Sequence, residues 1–199
     1  GYYAKNINSV GTTGDFSTTP SLSPVLAIAL SKAIIASGLH DVIEIGPGAG
    51  SLATQLLLQL KPPAFSFRKR IRYHLVERSA PLRALLKQRL SRSAKFHPDM
   101  QSALKVTGGT GFIISNELVD AFPVRVFQGA HGAIHELFLS LKEGSPVEEW
   151  VPSSELPDST QFNLSRDPKQ RLEIHHSYRT WINHWLPSFK NGRKKKMKL

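Results

Sequence analysis

Nine consecutive residues, Val42-Ile43-Glu44-Ile45-Gly46-Pro47-Gly48-Ala49-Gly50, constrain this chain more than any other stretch. Val42, Ile43 and Ile45 are apolar and β-branched, which suits a strand covered on both faces, and glycines then follow at every second position. A glycine backbone takes positive φ and approaches a ligand that a Cβ would hold off, so a strand, a Gly-x-Gly-x-Gly turn and a helix make a nucleotide-type pocket. Ser51 to Leu60 supplies the helix, with Leu52, Leu56, Leu57 and Leu60 on one side. The expected fold class is α/β, with a mostly parallel sheet and flanking helices.

Glu44 narrows the ligand. A dinucleotide fold sets a pyrophosphate over Gly-x-Gly-x-x-Gly, whereas here the third glycine comes one residue earlier and an acid precedes the turn. Glu-x-Gly-x-Gly-x-Gly resembles motif I of class I S-adenosylmethionine (SAM) methyltransferases, whose ligand is a cationic amino acid joined to adenosine without phosphates. On this motif alone, an ordinary glycine-rich strand-to-helix turn stays open as the alternative.

At 199 residues, 40% of them hydrophobic, the chain has the length and composition of a globular domain. Its longest apolar run, 25–35, is interrupted by Ser31 and Lys32 and is too short to cross a bilayer, so no membrane span is expected. There is no cysteine, which excludes disulfides and thiolate zinc sites, and the eight histidines are scattered, so no metal is expected. The net charge of +11 raises nucleic acid as a partner, yet Lys190, Arg193, Lys194, Lys195, Lys196 and Lys198 crowd the last ten residues without aromatic interleaving. Residues 190–199 are therefore expected to be a disordered, solvated basic tail.

Residues 1–22 read as an extended loop containing Gly14-Asp15-Phe16-Ser17-Thr18-Thr19-Pro20. Ser23 as N-cap, Pro24 in the first turn and the stripe Leu26, Ala27, Leu30, Ala33 and Ile34 predict a helix ending at Gly38. A second strand at 73–76 ends in Glu77, where the acid of an open α/β sheet faces the ribose of a nucleoside. Glu77 stands 27 residues after Gly50, beyond the usual separation of about 20, and the Pro62-Pro63 insertion accounts for the excess. A helix capped by Ser79 follows, with Leu82, Leu85, Leu86 and Leu90 inward. Leu104-Lys105-Val106 is the only hint of a third strand, and Phe112-Ile113-Ile114-Ser115 reads as a strong fourth. That strand delivers Asn116, Glu117 and Asp120 to the same carboxyl edge as the glycines, where an acceptor would approach. Helix capping by Asn116 and Asp120 is compatible with that role. Beyond it, 124–127 and 134–141 suggest a hairpin, 146–168 a polar loop and 171–186 a last helix.

Taken together, the chain resembles the MidA-like family of SAM-dependent methyltransferases, the group of the mitochondrial complex I assembly factor that methylates a protein arginine. Gly1-Tyr2-Tyr3, the Gly14–Pro20 loop with Ser23, the Ile43–Gly50 turn with Leu52-Ala53, Val76-Glu77-Arg78-Ser79 with Leu82-Arg83, and Asn116-Glu117-x-x-Asp120-Ala121-x-Pro123-Val124 carry the likeness. The resemblance implies a class I methyltransferase (Rossmann-like) fold over 1–189, with accessory strands and a loop at 124–168. It also implies S-adenosyl-L-methionine as cofactor and a protein side chain, arginine, as acceptor. By position, Gly46, Gly48 and Gly50 would line the methionine part, Glu44 would meet its amino group, Glu77 the ribose, and Asp15 and Phe16 would close over the cofactor. Asn116, Glu117 and Asp120 would face the acceptor, Glu117 orienting its guanidinium. The implied compartment is the mitochondrial matrix in a eukaryote and the cytoplasm in a bacterium.

Family members continue past the last helix into further strands, where this chain runs into Arg-Lys-Lys-Lys-Met-Lys-Leu. The sheet is accordingly expected to lack its C-terminal strands and to expose an edge, which predicts marginal stability, a dimer or partner-dependent folding. A nucleic-acid methyltransferase is disfavoured, because the residues after the fourth strand lack the Asn/Asp-Pro-Pro-Tyr/Phe that orients a flipped adenine. A non-catalytic SAM-binding module remains as the alternative to an enzyme.

Overall fold

The computed structural model describes residues 23–62, 70–130, 133–154 and 171–189. The chain falls into two compact units, Gly1–Ala121 with His184–Leu199, and Phe122–Asn183.

In the first unit, β1 (Asp41–Ile45), β2 (Arg72–Val76), β3 (Ala94–His97) and β4 (Phe112–Ser115) form a parallel sheet in the order β3-β2-β1-β4. All five β1 residues are buried, as expected for a central strand covered on both faces. One sheet face packs its core with α1 (Val25–Ser37), α2 (Ser51–Gln59) and α3 (Ala80–Leu90). There Val42, Tyr73, Leu75 and Ile114 meet Ala27 and Ile34 of α1, Leu52, Ala53 and Leu56 of α2, and Leu86 and Leu90 of α3. Helix α4 (Met100–Thr107) packs on β1, β2 and β3.

Local chemistry sets the boundaries. Gly38 ends α1 at φ 68°, and Ser23 Oγ accepts from Val25 N at 3.3 Å, although the residue in the N-cap position is Pro24. Ser79 caps α3, its hydroxyl accepting from Leu82 N. The expected strand at Leu104-Lys105-Val106 is instead part of α4. Asp99 accepts from Ser102 N at 2.7 Å, Met100, Ala103, Leu104 and Thr107 bury one face, and Gly108 ends the helix at φ 68°. The third strand is Ala94-Lys95-Phe96-His97, paired with β2.

The second unit holds an antiparallel sheet in the order β7-β6-β5-β8, made of β5 (Arg125–Ala130), β6 (Ala133–Lys142), β7 (Ser145–Pro152) and β8 (Arg171–Ile174), and most of α5 (His176–Trp185). The β5–β6 hairpin agrees with the sequence, but β7 replaces the start of the expected loop and β8 the start of the expected last helix. Glu143 (φ 52°) and Gly144 (φ 80°) make the tight turn that returns β7 onto β6. Pro146 and Pro152 are tolerated because β7 is an edge strand. In β8, Leu172 and Ile174 alternate with Arg171 and Glu173, a period of two rather than 3.6. Phe122, Tyr178 and Trp181 form an aromatic cluster with ring centroids 5.2–5.9 Å apart.

Candidate functional site

Parallel pairing brings the carboxyl ends of β1, β2, β3 and β4 to one edge of the first unit's sheet. The turn after β1 sits at its centre. Gly46, Gly48 and Gly50 have φ of 67°, 55° and 82°, a region that costs an L-residue roughly 1–2 kcal/mol. Gly46 N donates to Val76 O at 2.9 Å and ties the turn to β2. A Cβ on Gly46 would lie 2.7 Å from Leu118 Cδ1, and one on Gly50 would lie 2.7 Å from Leu86 Cδ2. The first glycine thus admits the loop after β4, and the third admits α3.

Glu77 follows β2 and is buried against the turn. Its Oε1 accepts from Ser79 N at 2.7 Å, and backbone N–H groups of Arg78 and Gly48 also point at the carboxylate. Burial raises its pKa, opposed by those backbone bonds and by the charge of Arg83. The acid predicted to meet a ribose therefore lies beside Gly48.

Glu44 is placed differently from the other acids. It is 3% exposed, and its Oε2 accepts from Tyr73 Oη at 2.6 Å. Burial pushes its pKa up to about 7 against the lowering effect of that bond. Its described partner is Tyr73 of β2, and Glu44 itself stands two residues before the turn.

Asn116 is half-buried, while Glu117 and Asp120 are exposed, the latter in a short 3-10 turn (Val119–Ala121). Glu117 has φ 50°, a left-handed conformation rare outside glycine and enriched at ligand sites. The structure thus gathers Gly46, Gly48, Gly50, Glu77, Asn116, Glu117 and Asp120 at one edge and sets Glu44 under it. Asp15 and Phe16 lie outside the described residues.

Several residues near this edge escape sequence reasoning. Arg83 Nη1 donates to Glu77 O at 2.6 Å and to Arg78 O at 3.1 Å, and Arg89 Nη1 donates to Ala49 O at 2.8 Å. The leucine stripe of α3 puts both arginines outside it, and no sequence signal assigns either of them a partner. On the sheet face away from Tyr73, Asp41, His74 and His97 form a buried line. His74 Nε2 lies 3.0 Å from Asp41 Oδ1, His74 Nδ1 lies 3.0 Å from His97 Nε2, and Arg72 grips Asp41 with Nε and Nη2. Burial holds both histidine pKa values down. Among the described residues, no cluster of three or more His, Asp or Glu is arranged to hold a metal ion.

The edge suits a cationic adenosine ligand better than a pyrophosphate. Glu77, Glu117, Asp120 and Asp99 bring carboxylates to it, the turn carries no basic side chain, and Arg83 and Arg89 are directed onto backbone carbonyls. Comparison with known proteins agrees. A sequence profile described as "Putative S-adenosyl-L-methionine-dependent methyltransferase" matches residues 26–194. A Burkholderia thailandensis structure bound to S-adenosyl-homocysteine superposes with a TM-score of 0.64 at 26% identity, over 85% of this chain and 45% of that one. A second structure from Burkholderia thailandensis, a native crystal form, shares the fold with a TM-score of 0.69 at 24% identity, over 96% of this chain and 52% of that one. The chain therefore spans about half the length of these solved structures. No curated protein matches it. With its SAM-type turn and a profile match over most of its length, the chain belongs to this family of S-adenosyl-L-methionine-dependent methyltransferases.

Proposed function

We propose that the chain carries the cofactor-binding part of a methyltransferase that modifies a protein side chain, arginine, in the assembly of respiratory complex I. The observation that carries this reading is that Leu118 Cδ1 fills the space a side chain on Gly46 would need, beside Glu117 at positive φ. Donor turn and acceptor loop meet there. Bound SAM supplies a methyl group activated on a sulfonium. Gly46 to Gly50 give it close backbone approach, Glu77 accepts from its ribose hydroxyls, and Glu44, held by Tyr73, braces the turn from below. Glu117 receives the guanidinium bidentately, Asn116 and Asp120 flank it, and a carboxylate takes the proton that the acceptor nitrogen gives up on methylation. The arginine and complex I parts rest on the MidA-like likeness of 116–124.

Labelled SAM and candidate acceptor proteins test the reading, with label expected on an arginine and lost in Glu117→Gln. SAM binding without transfer to any protein would defeat the enzymatic half. Equilibrium dialysis against SAM, NAD and ATP tests the cofactor, and binding of SAM alone is expected. The alternative reading is a binding module that keeps the SAM turn and acts through contacts, without transferring methyl groups. It predicts that Glu117→Gln changes nothing in cells.

A further inference from the structure

Helix α3 does more than cover the sheet. Leu82, Leu86 and Leu90 form its buried stripe, and at 100° per residue Arg83 and Arg89 flank that stripe on opposite sides. Each guanidinium reaches a backbone carbonyl of a different loop at the carboxyl edge. Arg83 holds Glu77 O and Arg78 O, the loop after β2, while Arg89 holds Ala49 O inside the glycine turn. Leu86 fills the space that a side chain at position 50 would take. The two loops are also joined directly, through Gly46 N to Val76 O and through the Gly48 N–H aimed at the Glu77 carboxylate.

Arg83 lies near the start of α3, where the helix dipole disfavours a cation. A lysine would supply a point charge, whereas one guanidinium nitrogen here bridges two carbonyls. A surface arginine kept only for solubility would have no reason to take this geometry.

We propose that Arg83 and Arg89 are positioning residues for the cofactor, locking the Glu77 loop and the glycine turn into one preformed cradle. This rests on the reading that these loops bind SAM. Arg83 has a second effect, because its charge opposes the burial that raises the Glu77 pKa and so favours the ionised, hydrogen-bond-accepting carboxylate. The charge acting on Glu77 from α3 is Arg83, Arg78 of its own loop donates its backbone N–H, His97 O at the end of β3 accepts from Glu77 N at 3.0 Å with Asp99 capping α4 beyond it, and Arg89 is turned onto Ala49 O. The turn has no charged or titratable side chain.

The test is SAM affinity by titration calorimetry from pH 5 to 8 on the full chain, with thermal melts recorded for every variant. Removing a charged donor from two carbonyls is expected to weaken SAM about tenfold in R83M, and removing one bond severalfold in R89M. The acid limb of the affinity profile should move to higher pH in R83M, stay in place in R83K, and stay in place in R89M. His97 and Asp99 titrate in all of these, so the shift between profiles reports Glu77. Affinity and profile unchanged in folded R83M and R89M would overturn the proposal. Should R83M not fold, R83K and R83Q decide it: a shifted limb in R83Q but not R83K supports the role of Arg83, and identical profiles overturn it. If the wild-type chain binds no SAM, the cofactor reading fails first, and that result is separate from the arginine comparison.

Discussion

The two sheets of this protein bury charge to different degrees. In the parallel sheet Asp41, Glu44 and His74 are 6%, 3% and 1% exposed, and each is engaged by named partners: Arg72 and His74, Tyr73, and Asp41 with His97. In the antiparallel sheet Arg125 grips a half-buried Glu136 bidentately, but the ion pairs Lys142–Glu149 and Arg171–Glu148 stand in solvent, and Leu139 and Leu141 are also exposed. Low dielectric makes a buried pair costly to break, while water and salt leave a surface pair nearly neutral. The parallel sheet is thus the part whose chemistry is specified residue by residue, and the glycine turn and carboxylate edge belong to it.

Two glycines with nearly the same backbone give the largest contrast. Gly50 (φ 82°) and Gly144 (φ 80°) would both strain an alanine, but a Cβ at Gly50 meets Leu86 at 2.7 Å and one at Gly144 meets nothing within 4 Å. Urea denaturation should show Gly50→Ala destabilised by roughly 2–5 kcal/mol, strain plus overpacking, and Gly144→Ala by only about 1–2. Equal losses would mean that packing on α3 is soft.

Glu44 comes next. Its folded pKa of about 7 lies above the unfolded value of 4.5, so the folded state holds a proton that the unfolded chain has released, and stability falls as pH rises between the two. Glu44→Gln should abolish that slope and exceed the wild type by up to roughly 3 kcal/mol at pH 8. A wild-type slope unchanged by the substitution would mean that Glu44 is ionised in place.

His74→Phe, at roughly 2 kcal/mol, removes one partner from Asp41 and another from His97. Burial lowers the His74 and His97 pKa values, so their contribution has the opposite sign to that of Glu44 and is lost as pH falls below that of an ordinary histidine. The variant should flatten that acid limb. At the small end, Glu148→Gln should leave the melting midpoint within error, since its partner Arg171 is as solvated as Glu148. A clear drop would remove the contrast between the sheets.

The same contrast governs what could be read in advance. β1, its turn, α2, β2, α3 and β4 were legible because β-branched runs, glycine spacing and leucine periodicity agreed along each of them. β3 was not, since Lys95 and His97 alternate with only Ala94 and Phe96, and its identity as a strand comes from pairing with β2. The His74–His97 contact exists only through that pairing, so nothing local announces it. In the antiparallel sheet, β7 was hidden by Pro146, Glu148, Glu149 and Pro152, tolerable only on an edge, and β8 by running almost directly into α5. Of the site, the residue types and the shared edge were legible. The Tyr73 bond to Glu44 and the arginine contacts of α3 were not, because each spans elements whose approach is set by the packed core.

Leu118 brings the loop after β4 against the glycine turn. Leu118 Cδ1 occupies the space a side chain on Gly46 would need, so the loop after β4 cannot settle further inward without pressing on the first glycine. If one ligand in the glycine turn and another on that loop both shift this packing, their affinities are coupled. Thermodynamic linkage makes the effect mutual, since whatever factor one ligand adds to the binding of its companion, the companion returns.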